Sequence, residues 1–229
     1  MLRLPRVLCG ITALALFGAG VLGVTSAQAA VITFDLDQEF SGATPPAGSS
    51  PWLRSTFDDG GGSGSVTMTL TALNLTGSEF VTEWDFNLDP SLNLASLIFS
   101  APAKTGTFAD PIISTGVDAF QADGDGKYDI QFAFDNAPPA NRFGVGDSVQ
   151  YTISGIPTLT ASSFNFLSAP AGGKGPFQTA AHVQGIGAQG NDSGWVSPVP
   201  EPSMAAVSVL LAALAGPFRR RHRQQRASA

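Results

Sequence analysis

Phe80-Val81-Thr82-Glu83-Trp84-Asp85-Phe86-Asn87-Leu88 puts Phe80, Trp84, Phe86 and Leu88 on one parity and Glu83, Asp85 and Asn87 on the other. That is the period of a strand with one face in a core and one toward solvent. The same alternation recurs on both sides. Val66, Met68 and Leu70 alternate with threonines, and Ile32, Phe34 and Leu36 alternate with Thr33, Asp35 and Asp37. Tyr128, Ile130, Phe132 and Phe134 share a face in Lys127 to Asp135. Further strands are expected at Ser91 to Ser100, Ser148 to Ser154, Ser162 to Leu167 and Phe177 to Ile186. The parity slip between Leu70 and Leu73 predicts a bulge. Gly60 to Ser65, Ala137-Pro138-Pro139 and Gly172 to Pro176 read as loops. Eight or nine antiparallel strands with this many inward aromatics exceed what one open sheet can cover. The expected fold is therefore all-β, a two-sheet antiparallel sandwich or jelly roll.

The two ends of the chain have a different character. Arg3 and Arg6 precede an apolar run from Val7 to Val24 and then Ala27-Gln28-Ala29, the charged, hydrophobic and small-residue regions of a secretory signal peptide. Cleavage after Ala29 would discard Cys9, the only cysteine, so the exported part is expected to fold without disulfides. A lipid-anchored N-terminus does not fit, because Cys9 lies too early and follows Leu8 rather than a lipobox.

At the other end, Val199-Pro200-Glu201-Pro202 leads into an apolar stretch, 204–218, and then Arg219, Arg220, Arg221, Arg223 and Arg226. Fifteen helical residues cover roughly 22 Å, short of the ~30 Å hydrocarbon core, so this is a marginal transmembrane anchor with snorkelling arginines. The arginine cluster places the C-terminus in the cytoplasm and the preceding chain outside. Triplet, apolar helix and basic end in this order resemble the PEP-CTERM sorting tail of bacterial surface proteins. That resemblance implies exosortase as the processing partner and a polysaccharide setting at the cell surface; it covers about an eighth of the chain.

The resulting domain reading is 1–29 signal peptide, 30–186 β-sandwich, 187–198 linker and 199–229 sorting tail. Seven of the twelve basic residues lie in the terminal segments, which leaves five against eighteen acids and a net charge of −13 on residues 30–203. Such a surface repels phosphate backbones, so nucleic acid is excluded as a partner, while solubility and cation attraction are favoured. The 174 residues of this part suffice for one domain that buries about 70% of its unfolded surface.

Gln121-Ala122-Asp123-Gly124-Asp125-Gly126-Lys127-Tyr128-Asp129 is the one segment with metal chemistry in its spacing. Oxygens at alternate positions, a turn-permitting glycine and a later carboxylate suit calcium, with Gln121, Asp123, Asp125 and Asp129 as candidate ligands. The pattern resembles the short calcium loops of integrin-type propeller repeats, in which the position of Gln121 usually carries another Asp. The neutral amide weakens any site. A glycine-rich turn whose aspartates cap their own backbone explains the same residues.

No G-x-S-x-G elbow, cysteine nucleophile, H-E-x-x-H or phosphate loop occurs, and no catalytic residue is assigned. His182 stands alone in the exported part, on a strand face with Gln178, Ala180 and Gln184 if Ala181 and Val183 face inward. Glu83 and Asp85 read as neighbouring acids on a solvated face, the pair that a carboxylate-based hydrolase would use. Trp84 reads as core, whereas Trp52 and Trp195, in Pro- and Gly-rich surroundings, fit either loop anchoring or sugar contact. Asn74-Leu75-Thr76 and Asn191-Asp192-Ser193 match glycosylation sequons, which a bacterial tail makes idle. The expected function is that of a non-enzymatic exported envelope or matrix protein without an obligatory cofactor. The alternatives are a carbohydrate-binding module with a weak calcium site and a secreted glycoside hydrolase.

Overall fold

The computed structural model describes residues 29–199. The signal peptide up to Gln28, all of the sorting tail after Val199, and its helix and arginines lie outside the described residues, as does Cys9. No helix among the described residues is long and apolar enough to cross a membrane.

Two antiparallel sheets form the fold. The first orders β1 (Val31–Leu36), β3 (Leu53–Asp58), β4 (Ser65–Ala72), β11 (Ser148–Ser154) and β6 (Ile98–Phe99), with β7 (Ala103–Thr105) also on β11. The second orders β2 (Gln38–Glu39), β13 (Asp192–Ser197), β12 (Thr179–Ile186), β5 (Phe80–Phe86), β9 (Lys127–Ala133) and β8 (Ile112–Gln121), with β10 (Phe143–Gly144) on β5. Alternation produces the core directly. In the first sheet Phe57 stands opposite Met68, and Met68 opposite Tyr151. In the second, Trp84 stands between Ala181 and Phe132. All these side chains belong to one buried cluster. Phe57 of the first sheet meets Phe86 of the second edge to face at 5.7 Å and stacks on Phe164 at 4.5 Å. Such aromatic packing across the sandwich adds to the burial of the rings themselves.

Several expected strands differ. Of Ser91 to Ser100 only Ile98–Phe99 pairs; Leu94–Ser96 is a 3₁₀ turn capped by Asn93, whose side chain accepts from the Ala95 N–H. Ser162 to Leu167 is likewise no strand, because Ala161–Phe164 forms a 3₁₀ turn closed by a Thr160–Ser163 capping box. Local Ser, Thr and Asn side chains satisfy the backbone there and remove the need for a ladder. The ladder of β4 ends at Ala72, and just beyond it the Leu73 and Asn74 N–H groups both donate to the Trp52 carbonyl, two residues against one, as in the bulge expected from the parity slip between Leu70 and Leu73. The stretch read as a linker holds β13, paired with β12 and β2, so the sandwich continues to Ser197.

The second sheet carries a bulge with consequences for both its faces. The pairing of β5 with β12 shifts between His182 and Val183, which face Glu83 and Val81, so Thr82 is the extra residue. Val81 rather than Phe80 enters the main core, and Phe80 lies under the Arg142 guanidinium at 4.0 Å. The bulge thereby turns the start of β5 by one residue relative to Trp84 and Phe86.

Candidate functional site

The outer face of the second sheet gathers most of the polar residues with unusual environments. His182 faces Glu83 across β12 and β5 and faces Trp195 across β12 and β13. These three residues form a row over three adjacent strands, spaced by roughly 4.8 Å per strand. The His182 and Trp195 rings stack, with centroids 4.9 Å apart and planes within 14°. Thr82, the bulge residue, places its hydroxyl 3.1 Å from His182 Nδ1. Glu83 is held by Gln131, whose side-chain amide donates to Oε1 at 2.5 Å, and Gln131 itself stands opposite Asp85.

Asp85 does not lie on a solvated face. It is fully buried, its oxygens meet no donor in good hydrogen-bond geometry, and the polar side chains beside them are Glu83 and Gln131. The cover is a second apolar cluster of Phe40, Ala122, Tyr128, Phe177 and Ala180, with Phe120 and Trp195 packed against it. Ala180 is the cross-strand partner of Asp85. Burial, and then the neighbouring charge of Glu83, push the Asp85 carboxyl well above the usual carboxylate range. Glu83 is raised as well, chiefly by burial. Burial lowers His182, with Asp123 acting in the opposite direction, so the imidazole tends toward its neutral form. The Tyr128 hydroxyl, also buried, is pushed up by burial, with Ser168 beside it acting in the opposite direction. Two carboxyls two residues apart on one strand thus share an environment that favours a proton on the inner one. A bond-cleaving carboxylate pair must flank its substrate, and Asp85 has no surface to offer one.

In the acidic loop, backbone donors engage two of the three carboxylates. Asp125 is buried, and its Oδ1 accepts from the Lys174 N–H, which pins loop 172–176 against it. Asp129 accepts from the Asp118 N–H at 2.9 Å and from the Leu88 N–H at 3.1 Å, tying the irregular stretch of β8 to the end of β5. Asp123 and Gln121 are exposed, Asp123 at a positive φ of 46°. Among the described residues no three or more His, Cys, Asp or Glu side chains are grouped to hold a metal ion. Of the tryptophans, Trp84 is core, and Trp52 anchors a loop by donating from Nε1 to the Gly48 carbonyl at 2.7 Å. Trp195, on β13, is half-buried.

The residues that sequence reasoning left aside as a solvated face, Glu83 and Asp85, are those with the strongest electrostatic signature. Their cover comes from segments roughly 45 residues before and roughly 35 to 110 residues after them, which a local pattern does not reveal. Compared with known proteins, the chain matches no family model, no curated protein and no solved structure.

Proposed function

We propose that this protein is a non-enzymatic exported component of a bacterial cell surface or extracellular matrix, sorted by a PEP-CTERM tail and processed by exosortase. The observation that carries the reading is the order Pro200-Glu201-Pro202, apolar 204–218, Arg219 to Arg226, together with an export signal at the other end. The partners on this reading are the general secretion machinery, the processing enzyme, the membrane through the C-terminal helix, and extracellular polysaccharide. The two-sheet sandwich supports it as a compact cargo, with its own core and with few cations on its acidic surface. Replacing Pro200, Glu201 and Pro202 together by alanine is expected to leave export intact and to block processing, so that the form retaining Arg219 to Arg226 accumulates in the membrane fraction. Mass spectrometry of the protein from its host reads both ends. If the triplet variant is cut and released like the wild type, the sorting role of the triplet is lost.

A further inference from the structure

The row Trp195–His182–Glu83 is the most unusual solvent-facing feature of the sandwich, and it rests on an arrangement that stability alone does not favour. A carboxyl buried beside a second one, with neither paired to a cation among the described residues, is costly, and such costs are retained chiefly where a site uses them. Asp85 lies behind Glu83 on the same face of β5, and a β-bulge, a device frequent next to binding sites, sets the position of Thr82 and Glu83. Gln131 orients Glu83 from β9. Thr82 occupies His182 Nδ1, which leaves Nε2 for a ligand.

We propose that this face binds a glycan chain of uncharged sugars, with Trp195 and His182 as an aromatic ridge and Glu83, Gln131 and His182 Nε2 as hydrogen-bonding groups. The chemistry follows from the groups present. A fixed carboxylate accepts from neighbouring hydroxyls, a side-chain amide both donates and accepts, and the half-buried indole, one face of which lies on His182, offers its remaining apolar area to a sugar ring. The row spans roughly 10 Å over three strands, the scale of two sugar units. Glu83, Asp123 and the acidic surface around them repel uronate and sulfate groups, which selects for uncharged chains. Asp85, buried with its proton, acts through Glu83 as a positioning residue.

This proposal rests on the preceding reading for its extracellular setting and polysaccharide partner, and its test reads binding rather than location. The full chain, purified in mild detergent, is run through native gels containing soluble β-glucan, mannan, galactan or, as the charged arm, polygalacturonate. Retardation by at least one uncharged glycan and none by polygalacturonate is expected, with Trp195→Ala and Glu83→Ala each weakening binding at least tenfold. Gln131→Ala, at a half-buried position, is expected to weaken it severalfold and covers the case in which a tryptophan variant fails to fold. Thr69→Ala, on the first sheet, should bind as the wild type does. Indifference to all three uncharged glycans, stronger binding to polygalacturonate, or undiminished binding by the folded Glu83 and Gln131 variants would overturn the assignment.

Discussion

At the scale of single residues, Asp85 sets stability against charge. Because its carboxyl is raised in the folded state, the native protein keeps a proton that the unfolded chain loses above the ordinary carboxylate range. The unfolded state then binds fewer protons, so Asp85 makes stability fall as pH rises from the ordinary aspartate range toward the raised native value. Asp85→Asn removes the charge and keeps the shape. The variant should equal the wild type near pH 3.5 and exceed it at pH 7, by the few degrees of thermal midpoint that ~1 kcal/mol carries in a domain of this size. Melting curves of both proteins from pH 3.5 to 7 decide the matter. A variant less stable than the wild type at pH 7, or a difference that does not grow with pH, would show that the aspartate is held ionised. Glu83, half-buried and bonded to Gln131, is a weaker contributor in the same direction.

At the scale of elements, the loop that follows β8 works as a clasp. Asp125 accepts the Lys174 N–H, and Gly173 is required there because a Cβ at that position would sit 1.0 Å from Asp125 Oδ1. Asp125→Ala strands a backbone donor and opens the contact between loops 121–126 and 172–176, a loss on the order of 1–3 kcal/mol. Calcium should not restore it. Thermal midpoints with and without about 10 mM calcium, well above the affinity of weak extracellular sites, are expected to coincide for the wild type and for the variant. A rise of several degrees in the wild type that Asp125→Ala abolishes would restore the calcium reading of this loop. The clasp also shows where the sequence is legible and where it is not. The strands whose inner positions are long apolar residues, β1, β4, β9 and β11, stand out by parity alone, and the aromatic residues of β5 and β9 disclose a second sheet. The segments at Leu94–Ser96 and Ala161–Phe164 do not stand out, because Asn93, Thr160 and Ser163 close local turns within sequences that alternate like strands. β3, β8 and β13 owe their pairing to partners on either side rather than to a strong period of their own. The Glu83–Asp85 site was legible only as a spacing of two. That one acid is buried beneath Phe40, Phe177 and Tyr128 is a product of the tertiary cover.

At the scale of the whole molecule, the sandwich extends almost to the sorting motif. β13 runs to Ser197, Pro198 is buried, and the Val199 N–H donates to Asp37 at 3.2 Å, at the lip of a cleft also lined by Thr33, Asp35, Asn165 and Gln178. On the proposed sorting reading, only residues 200–203 separate this anchored point from the apolar segment at 204, a reach of roughly 17 Å even fully extended. The folded domain would therefore sit close to the bilayer and hold the first residue of the motif. An enzyme that takes its substrate as an extended segment needs free chain on both sides of the cut, and the sandwich withholds the upstream side. A flexible insertion of about ten Gly and Ser residues between Pro198 and Val199 lengthens that side without altering the triplet. Pulse-chase in the host is expected to show faster conversion of the membrane-bound form for the insertion. Asp37→Ala, which removes the acceptor for Val199, should act in the same direction but less strongly, and Asp37→Asn, which keeps an acceptor oxygen, should behave as the wild type. Unchanged rates in the insertion and in Asp37→Ala would mean that the domain imposes no restraint. Slower processing would mean that the enzyme needs the sandwich end beside its motif, which reverses the role assigned to Asp37.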